Sequence, residues 1–242
     1  MKKHEWTKKQ VESASIPNFG KKYIVEPYFL KLVGKVKNKK VLELGSGNGY
    51  WLELMSKKGA LCTGVEISEQ QINLAIGKDT AKKIKYLRGD ITNLKKYHLK
   101  IEGYDVILLM HVLLEIPSVK KLERIFRDAY KLLKKNGIIA IADLHPFAPS
   151  SKLENIITNK EYNYFSSGKV IKVISSRIDG GKIIYKNFHW TLADIINSIT
   201  KSGLLISEII EHKPSLKLAK KYPQLAYRLK APLGIMIKAI KP

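Results

Sequence analysis

A single cysteine, Cys62, leaves the chain without any internal disulfide, which implies a reducing compartment and makes the cytoplasm the expected location. No apolar run approaches the roughly 20 residues that cross a bilayer, so no membrane span is expected. The start, MKKHEWTKKQVESAS, is basic but has no apolar stretch behind it, unlike a secretory signal. Acid is scarce as well: 21 Asp and Glu stand against 44 Lys and Arg, a net charge of +23. Arginine is scarcer still, occurring only at Arg88, Arg124, Arg127, Arg177 and Arg228. Planar, bidentate recognition of phosphates and bases favours arginine. The lysines instead fall in scattered pairs such as Lys8-Lys9, Lys57-Lys58 and Lys134-Lys135. That pattern reads as a solvated lysine surface, a trait also of hyperthermophile proteins, rather than a dedicated nucleic-acid footprint. Non-specific attraction of nucleic acid at low salt is still expected of it.

Repeats and low-complexity linkers are also missing. What remains is enough chain, 242 residues at 45% hydrophobic, for one domain spanning 1–242 around one core. Short β-rich apolar runs alternate with longer amphipathic segments, the pattern of a parallel sheet covered by helices. Strands are predicted over 40–44, 61–66, 84–88, 104–110 and 137–143, with helices over 49–58, 68–77 and 119–135. The last helix places Val119, Leu122, Ile125, Phe126, Ala129, Leu132 and Leu133 on one face, and Gly137 serves as its left-handed stop. Residues 144–190 form an insertion whose second half reads as a β-hairpin turning at Asp179-Gly180-Gly181. Thr191 and Asp194 stand at capping spacing before a helix that Gly203 ends. Two further strands over 204–211 and 233–241 bring the sheet to seven, while 214–231 carries no clear periodicity. The fold class is therefore α/β, a doubly wound seven-stranded mostly parallel sheet with an inserted β-hairpin lid.

The chemistry gathers after the first strand, where Val41-Leu42-Glu43-Leu44 runs straight into Gly45-Ser46-Gly47-Asn48-Gly49. Glycines there let the backbone turn tightly, approach a ligand closely and aim the next helix N-terminus at it. A phosphate-binding loop would need Gly-Lys-Ser/Thr at its end, which is absent. The dinucleotide fingerprint G-x-G-x-x-G also fails, because its third glycine comes one residue early and Tyr50 occupies the expected place. An E-x-G-x-G-x-G loop is what stands here. Glu66, 21 residues after Gly45 (66 − 45), sits at the carboxyl end of strand two, and Asp90 follows strand three at the same sheet edge.

ELGSGNG at 43–49 resembles the first motif of the class I (Rossmann-like) S-adenosylmethionine-dependent methyltransferases. In the same order, GVEIS at 64–68, RGDI at 88–91, YDVILLMHVLLEI at 104–116 and LLKKNGIIAIADLHPF at 132–147 are similar to that family's later motifs. The C-terminal half looks, more loosely, like its small-molecule subgroup. The resemblance implies S-adenosyl-L-methionine as cofactor, with Glu43, Gly45, Ser46, Gly47, Asn48 and Gly49 under its methionine part. It implies that Glu66 with Ile67 holds the ribose, that Asp90 with Ile91 meets the adenine, and that Met110 and His111 border the methyl group. Methyl transfer to a small-molecule acceptor by in-line displacement is the activity it implies. Transfer to tRNA or rRNA is the alternative that the charge raises, although an N-P-P-[FY]-type tetrapeptide after strand four is replaced by LMHVLLEI. A binding module without catalysis remains a third reading.

Methyl transfer to a protonated nucleophile needs a base, and histidine is the commonest one at neutral pH. His111 follows strand four, His145 follows strand five, and His189 ends the insertion, so these three are the catalytic candidates. Each also has a structural reading. His4, His98 and His212 look like surface residues, Cys62 like a core residue, and Tyr23 and Tyr28 like packing residues rather than sulfonium contacts. No histidine, acid or cysteine spacing resembles a metal site. The lid over 144–190 is apolar and poor in arginine, suiting a covered small-molecule pocket.

Overall fold

Alternating side chains on five parallel strands dictate the layout. β1 (Lys40–Leu44), β2 (Leu61–Glu66), β3 (Ile84–Arg88), β4 (Tyr104–Met110) and β5 (Leu133–Leu144) pair in parallel, in the order β3-β2-β1-β4-β5. β9 (Gly234–Ile240) joins β5 antiparallel, and β8 (Leu205–Glu211) joins β9 antiparallel, completing a seven-stranded sheet. The computed structural model describes residues 20–148, 163–176 and 182–242.

The strands are buried on both faces, as parallel sheets are. Val41, Val106, Leu108, Ala140 and Met236 face α1 (Glu26–Val33) and α2 (Tyr50–Lys57), which contribute Phe29, Leu32, Trp51, Leu52 and Met55. Leu42, Leu44, Ile107, Leu109, Ile139 and Ile237 face the other way. They meet Leu122, Ile125, Phe126 and Ala129 of α4 (Val119–Leu132), and Ile195 and Ile199 of α5 (Leu192–Thr200). α3 (Glu69–Lys78) starts under a serine cap, Ser68 Oγ accepting the Gln71 N–H. α5 has the expected capping box between Thr191 and Asp194, and Gly203 beyond it adopts a φ of +93°.

Several boundaries move. α4 stops at Leu132, because the chain passes directly into a β5 longer than expected. The left-handed residue is Asn136 (φ +61°), not Gly137. Gly137 is required for a different reason: a Cβ there would come within 2.8 Å of the Lys134 carbonyl oxygen, where the β4–β5 register shifts. The stretch 214–231, without evident periodicity, contains α6 (Leu216–Lys221) and a 3-10 segment Pro223–Leu229. The inserted hairpin forms as β6 (Val170–Ser176) and β7 (Lys182–Phe188); its Asp179-Gly180-Gly181 turn lies outside the described residues.

Trp190 anchors the end of that insertion. It is 2% exposed, and its indole N–H donates to the Leu113 carbonyl at 3.1 Å, just past β4. Cys62 is a core residue: burial pushes its thiol up to about 12, which leaves it inert. No helix among the described residues is long and apolar enough to cross a membrane.

Phe126 is fully buried between α4 and the sheet. Phe126→Ala should cost about 3–5 kcal/mol of stability. Urea unfolding monitored by circular dichroism reads this directly, and an unchanged midpoint would contradict the packing described.

Candidate active site

Strand order reverses between β1 and β4, and open α/β sheets bind ligands in the crevice at that point, beyond the carboxyl ends of the strands. The glycine loop leaves β1 there. Gly45, Gly47 and Gly49 have φ of +81°, +51° and +76°, a path that L side chains resist. At Gly45 a Cβ would come within 2.6 Å of Val112 Cγ2, so the loop is pressed against the segment following β4. At Gly47 a Cβ would meet no atom within 4 Å, so this backbone faces open space.

Glu66 holds the loop in place. One of its carboxylate oxygens accepts the Gly47 N–H at 2.9 Å, and the other accepts the Ser68 N–H at 2.9 Å. The remaining lone pairs can take a pair of hydroxyls, as at a ribose. Asp90 lies at the same edge, but one of its oxygens accepts both the N–H and the hydroxyl of Thr92. It therefore caps the short segment Ile91–Tyr97. Ile67 is half-buried and Ile91 buried beside these two acids. Asn48 is half-buried within the loop, and Met110 is buried at the end of β4.

Under the loop, Glu43 is 1% exposed and its Oε2 has no hydrogen-bond partner; the buried hydroxyl of Ser46 has none either. Such orphaned polar atoms beside open backbone are what a bound polar ligand would satisfy. Burial, and secondarily the neighbouring Glu66, hold the Glu43 carboxyl well above its usual range, with Lys21 acting the opposite way. Lys21 stands 3.7 Å over the Tyr50 ring at the loop's far side, and burial lowers its ammonium to about 8.

Across the switch point, His111 directly follows β4. Its φ is +57°, unusual for a side-chain-bearing residue, and its N–H donates to the Ala142 carbonyl at 2.7 Å. The side chain reaches solvent from within the crevice. Crowding by protein, followed by the Lys21 charge, the competing His212 ring and the Arg228 charge, holds its imidazole below the usual range. Asp143, buried at the end of β5, fixes the backbone behind it by accepting the Leu113 N–H at 2.9 Å and the Leu144 N–H at 2.8 Å. Burial raises the Asp143 carboxyl to about 7, against those amide contacts, and burial raises Glu115 to about 7 as well.

The other two histidine candidates are committed elsewhere. His145 Nδ1 accepts the Phe147 N–H at 3.1 Å, and Nε2 pairs with Glu211 at 2.9 Å, so both ring nitrogens are engaged. His189 is 2% exposed, lies 2.6 Å through Nε2 from the Tyr164 carbonyl oxygen, and meets the Tyr164 ring edge-on. His212 also lies at this edge and is buried, which corrects its reading as a surface residue. It follows β8, is 4% exposed, and packs against Gly234 and the Tyr28 ring. Tyr23 stacks on Tyr222 at 5.5 Å, and Tyr28 donates to the Lys213 carbonyl, so both tyrosines pack. Asp143 and His212 were missing from the sequence-based site. Their one signal is position: each closes or follows a strand that ends at this edge.

Two other clefts lie away from this edge. One, of about 220 Å³, is basic and lined by Asn93, Lys95, Arg124, Arg127, Asp128 and Lys131. The other, of about 530 Å³, lies among Lys40, Leu61, Lys82 and Lys100 at the amino ends of the strands.

A family model described as "Methyltransferase domain" matches residues 22–177. The chain belongs to this methyltransferase-domain family. Among curated relatives, the ubiquinone biosynthesis O-methyltransferase of Pelagibacter ubique is 34% identical over 127 residues, which is 52% of this chain and 50% of that protein. The protein of the same name from Yersinia pestis is 27% identical over 120 residues, 49% of this chain and 48% of that one. The chain thus spans about half the length of the curated relatives it matches. Among solved structures, an S-adenosylmethionine dependent methyltransferase from Mesorhizobium loti superposes with a TM-score of 0.70 at 21% identity, covering 88% of this chain and 96% of that one. A SAM dependent methyltransferase from Aquifex aeolicus gives a TM-score of 0.62 at 13% identity, over 98% of this chain and 100% of that one. At these identities the likeness establishes the fold: the sheet is the class I methyltransferase, Rossmann-like sheet.

The raised Glu43 carboxyl has a measurable consequence for this family member. A carboxyl with a raised folded pKa contributes stability that is complete below its unfolded value, about 4.3, and is lost as pH rises through the folded value. Glu43→Gln should remove that part of the alkaline loss, flattening the stability profile as pH rises above the ordinary carboxylate range. Denaturant midpoints across that rise test it, and an unaltered slope would show that Glu43 titrates normally.

Proposed function

We propose that this protein transfers the methyl group of S-adenosyl-L-methionine to a hydroxyl of a small-molecule acceptor. The observation that carries the reading is the glycine loop held by Glu66 at the β1/β4 switch point, with Gly47 opening onto space and Glu43 and Ser46 left without partners beneath it. Glu66 would hold the ribose hydroxyls, Asp90 and Ile91 the adenine, and Glu43, Ser46 and the loop amides the methionine part. S-adenosylmethionine supplies an electrophilic methyl on a sulfonium, so the protein needs only to orient, desolvate and accept a proton. The hydroxyl as nucleophile rests on the O-methyltransferase names of the curated relatives.

His111 is the base in this reading. It is neutral at physiological pH, solvent-reachable, and follows the strand beside the loop. It accepts the hydroxyl proton as the new O–C bond forms and the S–C bond breaks. Asp143 keeps the His111–Leu114 backbone in position, and His145 and His189 brace the wall and the lid. The hairpin insertion, held down by Trp190, shields the acceptor from water. The small acceptor is favoured over RNA because the crevice carries few arginines. The scattered lysines and the basic cleft at Arg124 and Arg127 account for salt-sensitive attraction of polyanions. A cytoplasmic location goes with this reading and rests on the lone buried Cys62.

Calorimetry should detect binding of S-adenosylmethionine and S-adenosylhomocysteine but not NAD. Glu66→Ala should weaken cofactor binding by about 1–3 kcal/mol and also loosen the loop, whereas Glu66→Gln should retain part of the affinity. Equal affinity in Glu66→Ala would remove the ribose assignment. His111→Ala should lower turnover on the order of 10²-fold with cofactor affinity nearly unchanged. A rate unaffected by that substitution would return His111 to a structural role.

A further inference from the structure

One wall of the crevice is built from two segments that close on each other. One is the helical stretch beginning at Gly20, and the other is the β8–β9 connection. Tyr23 stacks on Tyr222, and Tyr28 reaches both the His212 ring and the Lys213 carbonyl. At the seam lies Arg228, its guanidinium packed so tightly on Gly20 that a Cβ there would collide with it. Arg228 is half-buried, its Nε donates only to the Tyr227 hydroxyl at 3.1 Å, and no carboxylate pairs with it among the described residues. A half-buried guanidinium without a counter-charge is unfavourable unless something else supplies one.

We propose, resting on the methyltransferase reading above, that the acceptor is a small hydroxy acid whose ionised carboxylate pairs with Arg228 while its hydroxyl faces His111. Topology assigns the partner. The loop, Glu66 and Asp90 occupy the β1–β3 half of the edge, whereas Arg228 comes from the β8–β9 connection at the other end of the strand order, the end that the loop leaves to an acceptor in this reading. Lys21, over Tyr50 beside the loop, is the cation on the cofactor's side. Electrostatics agree. The cations acting on His111 are Lys21 and Arg228, and Arg228 also acts on His212. The nearby carboxyls offset this field only in part, because burial raises Asp143 and Glu115 to about 7 and Glu211 is exposed to solvent. An acid group in the crevice would offset the field, and by the same step let the His111 imidazole rise towards the range of a useful base. A planar guanidinium suits a carboxylate bidentately, which gives the acceptor an orientation as well as a charge match.

The test compares acids with their own neutral esters. Binding of 3,4-dihydroxybenzoate, 4-hydroxybenzoate, salicylate and 3-hydroxybutyrate, and of their methyl esters, is measured calorimetrically on the full chain, with and without S-adenosylhomocysteine. At least one acid should bind on the order of tenfold or more tighter than its ester, the range expected for a hydrogen bond to a charged group. Arg228→Gln and Arg228→Met should abolish that difference, Arg228→Lys should restore part of it, and cofactor affinity should stay within about twofold in all three. The proposal is overturned if no acid outbinds its ester, if the preference survives both neutral variants, or if they weaken the cofactor as much as the acid. Failure of the wild-type protein to bind S-adenosylhomocysteine would instead defeat the methyltransferase reading, and the acid–ester comparison without it would still decide the role of Arg228.

Discussion

The Glu66 carboxylate is the contact on which the rest of the site depends. Its two oxygens take the amides of Gly47 and Ser68, tying together the tip of β2, the glycine loop and the start of α3. A loop with three left-handed glycines has little conformational preference of its own, and Gly carries the largest entropy cost of ordering. Charge-assisted hydrogen bonds from a buried acid offset that cost and choose one path for the loop. The same device recurs across the switch point, where Asp143 takes the amides of Leu113 and Leu144 and sets the backbone behind His111. Val112 on that segment presses against Gly45, so the two walls of the crevice are packed as one unit.

The two halves of the edge differ in electrostatic character. Buried acids, Glu43 and Glu66, line the half that would meet a cationic sulfonium and amine. Cations and neutral imidazoles, Arg228, His111 and His212, line the other. This division is local and unrelated to the net charge of +23, most of which sits on exposed lysines. Exposed charges are screened within about a Debye length, roughly 8–10 Å, whereas groups inside a crevice feel one another directly. Composition therefore says little about the acceptor, and the few charges inside the crevice say more.

Much was legible in the sequence. β1 to β4 fall at their expected residues, because each is a short apolar run bounded by a turn. The glycine spacing identified the loop, since only a backbone with positive φ at alternate positions needs glycine at all three. The distance from that loop to Glu66 followed from the length of one βαβ unit. The Thr191 cap was readable because its partner is only three residues away. In each case the determining contact lies within one strand, one turn or one unit of the chain.

What the tertiary structure decided depends on contacts between distant segments. His212 looked exposed because a charged neighbourhood, Glu211 and Lys213, surrounds it in the chain; Gly234 and Tyr28 bury it in the fold. His145 and His111 both follow strands and read alike, yet Glu211, on an antiparallel strand 66 residues away (211 − 145), engages only His145. Gly137 read as a helix stop, whereas the register shift against β4 moved the left-handed turn to Asn136. Arg228 carried no periodic signal at all, and only its closure on Gly20 brings it to the crevice. Local periodicity and glycine spacing determined which strands form and where the glycine loop lies. Packing between segments far apart in the chain decided which titratable groups remain available for chemistry, because burial and partner choice are properties of three-dimensional neighbours.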